Sequence, residues 1–232
     1  MSYIKITAPV IALLFFAVLV SGQDPAVPLP GEIMRPGGMF RGNPYLIDEW
    51  LDGELILSNG SIVSNIKLKY DGYRDDVLWL HERNMQHIIL DRSQLIKFTL
   101  TIPGTGEKLQ FRKIERAALG LPGMGDLFVE ELFSDTVCLY AHRRIVKIRD
   151  VYERRGRSRY IFAEIEPDPV YYFLLPGNTA IRLDKINRRS LYRAFPEKRN
   201  ELRQLLRRSR RIWNDEQALV ETAIYLNNLL GK

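Results

Sequence analysis

The chain has 232 residues, 46% of them hydrophobic and 27% charged, which is an ordinary globular composition. A single cysteine excludes an internal disulfide, so a packed core must hold the fold. The net charge of +6 is uneven: residues 23–102 hold 8 Lys/Arg against 11 Asp/Glu, and residues 181–211 hold 12 against 3. Attraction for polyanions is therefore concentrated toward the C-terminus.

Lys5 precedes the apolar run ITAPVIALLFFAVLV, and Ser21-Gly22 follow it. Residues 1–22 read as a signal peptide cleaved before Gln23. The run is shorter than the ~20 residues of a spanning helix, so no transmembrane segment is expected after cleavage. No cysteine follows it to carry a lipid. The expected location is periplasmic or secreted, peripheral to the cell envelope. Residues 23–46, QDPAVPLPGEIMRPGGMFRGNPYL, form a lead-in rich in Pro and Gly without helix or strand periodicity.

From residue 47 to 186 the period is two, which predicts an antiparallel β-rich body. Asn59-Gly60 lies between two alternating runs and predicts a type I′ hairpin, with both residues at positive φ. VLWLHERNMQHIIL and QLIKFTLTIPGTGEKLQFRKI each read as two strands about a turn. After the connector ALGLPGMGD come LFVEELF, TVCLYAHRRIVKI, RYIFAEIE and VYYFLLPGNTAIRL, with DVYERRGRSR as a charged turn and Pro176-Gly177-Asn178 as another. Cys138 alternates with Val137 and Leu139 and is expected to be a buried strand residue.

From 187 to 232 the period changes to that of helices. NRRSLYRAF gives one or two turns. Pro196 opens a second helix, and Asn214-Asp215-Glu216 caps a last one that Gly231 ends. In the second, Leu202, Leu205, Leu206, Ser209, Ile212 and Trp213 form one apolar stripe, so the helix should dock by its leucines. Arg203, Arg207, Arg208, Arg210 and Arg211 lie mostly off that stripe and are the candidate contact for an anionic surface. The fold class is thus α+β: a β meander, then two or three C-terminal helices packed on it.

Catalytic motifs are mostly missing. His81, Glu82 and His87 lack the four-residue histidine spacing of a zinc helix. They would make a metal site only if the two histidines faced each other across a hairpin with Glu82 as third ligand, so neither metal nor cofactor is expected. No Gly-x-Ser-x-Gly elbow or complete phosphate loop occurs. Asp75-Asp76 and Glu130-Glu131 are strand neighbours, expected to point apart. Glu164 and Glu166 share a face and would be the acids of a hydrolase, were there one. Nucleic acid is not an expected partner, since no recognition motif is present.

The stretches GNPYLIDEW, GELILSNGSIVSNIKLKYDGYRDDVLWL and FLLPGNTAIRLDKINRRSLYRAFPEKRNELRQLL, with DEQALVETAIYLNNL, resemble a group of uncharacterised exported proteins of Bacteroidetes genomes. The resemblance covers residues 43–101 and 171–229 and rests on turns, core aromatics and helix starts. It implies an envelope location and a β-then-α layout, with no site residue.

Three functions stay open on these grounds. The first is a non-enzymatic envelope protein binding another protein, an anionic glycan or a membrane surface. The second is a hydrolase of envelope glycan or peptide, using Glu164 and Glu166 with His81 or His87. The third is a structural subunit marked by an apolar patch on Trp50, Tyr70, Tyr73 or Trp79.

Overall fold

A computed structural model describes residues 29–35, 37–208 and 216–230. The expected signal peptide at 1–22, its cleavage site, and the stripe residues Ser209, Ile212 and Trp213 lie outside the described residues. The strands are β1 (Gly31–Ile33), β2 (Phe40–Arg41), β3 (Leu51–Leu57), β4 (Ile62–Asp71), β5 (Asp76–His81), β6 (Gln86–Leu90) and β7 (Leu95–Thr101). They continue as β8 (Lys108–Glu115), β9 (Asp126–Ser134), β10 (Cys138–His142), β11 (Ile145–Arg155), β12 (Ser158–Pro167), β13 (Val170–Leu175) and β14 (Thr179–Leu183). Three helices follow: α1 (Arg188–Ala194), α2 (Arg199–Arg208) and α3 (Glu216–Leu230). The α+β layout expected from the change of period is the one observed.

Short turns join most successive strands from β3 onward, which therefore pair antiparallel with their sequence neighbours. An 11-stranded sheet runs in the order β1-β6-β5-β4-β3-β7-β8-β9-β10-β13-β14, and a 3-stranded sheet in the order β11-β12-β2. The lead-in is more ordered than its composition suggested. Its β1 pairs antiparallel with β6, and its β2 pairs parallel with β12. Strand edges supply backbone partners to a segment that has no periodicity of its own.

Alternation in β3 buries Leu51, Leu55 and Leu57 and leaves Asp52 and Glu54 in water. The buried face holds an aromatic stack: Phe98 lies 4.6 Å from Phe111, and Phe111 lies 5.1 Å from Tyr70. The sheet curls over this face until the β4–β5 turn meets the β10–β11 link. There the Gly72 carbonyl accepts the Ile145 amide at 2.9 Å, and a Cβ on Gly72 would sit 2.5 Å from the Arg143 oxygen. Toward the other end, Leu139, Ala141, Tyr171 and Phe173 of the same sheet face pack on Leu191, Leu202, Leu206, Leu219 and Leu226 of the helices. Each such leucine stabilises the docking by about 1.5–3 kcal/mol. α2 is held by Leu202 and Leu206 with Leu205 half-buried, as its stripe predicted.

Several expectations need correction. Gly60 has φ of +82° but Asn59 is not left-handed, so the turn is not type I′. Instead Gly60 N–H bonds the Leu57 carbonyl at 2.9 Å, and the Asn59 carboxamide oxygen accepts from the Ser61 amide. The segment DVYERRGRSR is no loop. β11 runs through it to Arg155, because Val151 pairs with Phe162 and Tyr152 with Ile161. Cys138 is half-buried, on the face opposite Val137 and Leu139, with its thiol 3.4 Å from the Asp135 carbonyl. The proposed apolar surface patch is core instead: Tyr70 and Trp79 are buried, and Trp50 and Tyr73 half-buried.

Candidate anion-binding site

The helical end of the molecule carries a cavity made almost wholly of arginine. The Asn187 carboxamide caps α1 by accepting the Ser190 amide at 2.8 Å. Leu191 and Phe195 then turn inward, Phe195 lying edge-to-face 5.2 Å from Phe173. Pro196 ends that register and opens a 3₁₀ turn, Pro196–Lys198, that leads into α2, whose Leu202 and Leu206 also turn inward. What remains outside is Arg188, Arg189, Tyr192, Arg193, Arg199 and Arg203, which line an open cavity of about 400 Å³. No acidic residue lines it. Among the described residues, no carboxylate pairs with Arg189, Arg193, Arg199 or Arg203.

Like charges gathered around one space repel, and a bound anion relieves that repulsion. Guanidinium groups suit the task, since each offers a planar fork of donors to phosphate, sulfate or carboxylate oxygens. Of the arginines singled out from sequence, Arg203 lines this cavity and Arg207 is exposed on α2 beside it in sequence. The Arg208 side chain, Arg210 and Arg211 lie outside the described residues. Arg188, Arg189, Arg193 and Arg199 were missed. Their signal was the basic density of residues 181–211, but only the packing of α1 beside α2 makes one cavity of it.

A second hollow, of about 350 Å³, lies on the solvent side of β3, β4, β7 and β8. Its shape comes from a bulge at Asn65, φ 58°, where the register shifts between Gly53 and Glu54. Its charges are largely matched: Ser64 donates to Glu54 at 2.7 Å, Lys67 pairs with Asp52 at 2.7 Å, and Arg112 pairs with Glu131 at 3.3 Å. A notch between lead-in and body includes Tyr45, Asp71, Arg74 and His87. Beside it, Lys69 lies over the rings of Tyr45 at 4.6 Å and Trp50 at 5.0 Å, and burial lowers its pKa.

A cluster of buried titratable groups lies elsewhere. Asp75, left-handed at φ 60°, accepts from Tyr70 Oη at 2.6 Å and from Arg92 at 2.9 Å. This conformation lets Arg92 reach Asp76 as well, at 3.6 Å, so the two aspartates do not diverge as strand neighbours would. His142 Nε2 is 3.8 Å from Asp75 Oδ1, too long for a hydrogen bond, and has no partner among the described residues. Burial, and then the charges of Arg144, Arg116, Arg92 and Arg182, push its pKa down to about 4. The nearby carboxylate favours the charged ring, but these opposing effects prevail. Glu130 and Glu131 do point apart, to Arg143 and Arg112 respectively.

His81 and His87 do not face each other. Leu80 is the partner of His87 and Gln86 that of His81, so the two imidazoles leave the hairpin on opposite sides. His81 packs on Trp79 and His87 on Trp50. Among the described residues no group of three His, Cys, Asp or Glu is placed to hold a metal ion. Glu164 is bound by Arg149, and neither it nor Glu166 lines the arginine cavity, the polar hollow or the notch. Among the described residues no helix is long and apolar enough to cross a membrane.

No family model, curated protein or solved structure matches the chain.

Proposed function

We propose that the protein is an exported, non-enzymatic component of the cell envelope that binds an anionic glycan through the arginine cavity. The observation that carries this reading is the convergence of Arg189, Arg193, Arg199 and Arg203, none paired with a described carboxylate, on one open space. A short acidic sugar chain offers what the cavity asks for: several oxyanions at fixed spacing, with hydroxyls for Tyr192. Export rests on the apolar N-terminal run and on the resemblance to exported proteins; with it, surface glycans become the abundant polyanions within reach.

Retention on an immobilised polyuronate tests the binding. The protein should be retained at low salt and released as salt rises. Reversal of Arg189, Arg193, Arg199 and Arg203 to glutamate should abolish retention while leaving the circular dichroism unchanged. Retention that survives the reversal would overturn the reading.

A further inference from the structure

The small sheet extends from the body as an arm, β11 and β12 joined by a tight turn at Gly156, φ 62°. Its base is fixed. Ile145 and Ile165 are buried there, and Phe40 of β2 packs edge-to-face on Tyr73 at 5.0 Å. Its outer half is different. In the β11–β12 register Tyr152 is opposite Ile161 and Arg154 is opposite Arg159. Side chains alternate along a strand, so these four share one face.

On that face Tyr152 is 73% exposed and Ile161 53%, forming one apolar step across both strands. Ile148, at the bulge, is 51% exposed. Arg154 and Arg159 follow toward the tip, and Arg157 is exposed in the turn. Residues 154–159, RRGRSR, contain no acidic residue. On the opposite face Arg41 pairs with Glu153 and Arg149 with Glu164. Asp150, on the first face, is taken by Lys147 at 2.7 Å. One face of the arm therefore combines cations that pair with no carboxylate among the described residues and large apolar side chains held in water.

We infer that this face docks on an anionic lipid surface. Tyr152 and Ile161 enter the boundary between headgroups and acyl chains. Arg154, Arg157 and Arg159 meet the lipid phosphates. A soluble polyanion would answer the arginines and leave Tyr152, Ile161 and Ile148 in water. A bilayer offers anionic and apolar layers within the reach of one side chain, and tyrosine with its polar tip suits that boundary. The site is separate from the arginine cavity and does not rest on it.

The test uses the full chain carrying Tyr152→Trp and vesicles of phosphatidylcholine, alone or with phosphatidylglycerol, brominated on their acyl chains. Quenching compared with the parent protein reports contact at position 152 and is blind to the apolar N-terminal run. Quenching is expected with phosphatidylglycerol and little with phosphatidylcholine alone. Adding Arg154→Ser, Arg157→Ser and Arg159→Ser should lower the vesicle affinity read at that position by roughly two orders of magnitude. Ile161→Ser should weaken it even at low salt, which a purely electrostatic contact would not show. Glutamates at the four cavity arginines should leave it unchanged, so this inference and the glycan reading fail separately. Quenching that is absent, equal on both vesicle types, or unaffected by the arm substitutions would overturn the inference. So would an arm that binds a soluble polyanion in preference to vesicles.

Discussion

Arg143, just past β10, holds Glu216, the first residue of α3, with both terminal nitrogens of its guanidinium, one of them at 2.8 Å. Its Nε donates to Glu130 at 2.5 Å, and the Tyr171 hydroxyl donates to Glu216 at the same distance. At the other end of α3, the Asn227 carboxamide accepts the Val137 amide at 2.9 Å and donates to Asp135 at 2.8 Å. The closing helix is thus fixed to the sheet at both ends. Burial pushes the Glu130 pKa up despite Arg143. For the less buried Glu216 the same burial is outweighed by hydrogen bonds from Arg143 and Tyr171, and its pKa falls.

Removing the arginine strands two carboxylates at once. Arg143→Leu should destabilise the protein by about 3–5 kcal/mol, the range for breaking a buried pair from one side. Glu216→Gln should cost less, since the amide still accepts hydrogen bonds. Urea midpoints of both variants check this; equal, negligible shifts would contradict the role assigned to Arg143.

His142 makes stability depend on acid. Its folded pKa, about 4, lies below the ordinary 6.5, so the native fold favours the neutral ring. As pH falls from 6.5 toward 4 the unfolded chain takes up a proton that the fold refuses, and stability declines. Over that window the contribution reaches about 3 kcal/mol. Unfolding free energies at pH 7 and 4.5, for the parent and for His142→Gln, should differ in slope by part of that amount. Parallel curves would show that the ring titrates normally.

Two glycines separate conformational from steric demand. Gly60 is left-handed with nothing within 4 Å of its absent Cβ, so Gly60→Val should cost about 1 kcal/mol or more from backbone preference alone. Gly72 is not left-handed, but its Cβ would collide with the Arg143 oxygen, part of the backbone. Gly72→Ala should therefore lower the melting midpoint more than Gly60→Ala does.

The two faces of α2 should respond differently. Leu202→Ala or Leu206→Ala should each cost roughly 2–5 kcal/mol, both being buried in the helix–sheet core. Arg203→Glu and Arg207→Glu, both exposed, should stay within about 0.5 kcal/mol of the parent in thermal unfolding. A large loss from either arginine would mean that its side chain is structural.

Local pattern was enough for the class of fold. Alternation in β3, the turns near Gly60 and Gly177, and the leucine stripe of α2 are properties of short windows, and each appears in the structure. The period of β4 does not carry through, because the bulge at Asn65 leaves Ile62 and Ser64 on the solvent side while Ile66, Leu68 and Tyr70 are buried. Basic density in residues 181–211 likewise marked the region that holds the cavity. The rest depended on which segments meet. The lead-in takes its strands from the edges of β6 and β12, and DVYERRGRSR becomes an arm because β12 pairs along it. Asp75, Arg92 and His142 come together only when the sheet curls. Arg188, Arg189 and Arg193 join Arg199 and Arg203 only because Pro196 turns one helix beside the next. Periodicity records which face of a segment is apolar. It carries no information about the segment on the other side, and charge placement and edge pairing are decided there.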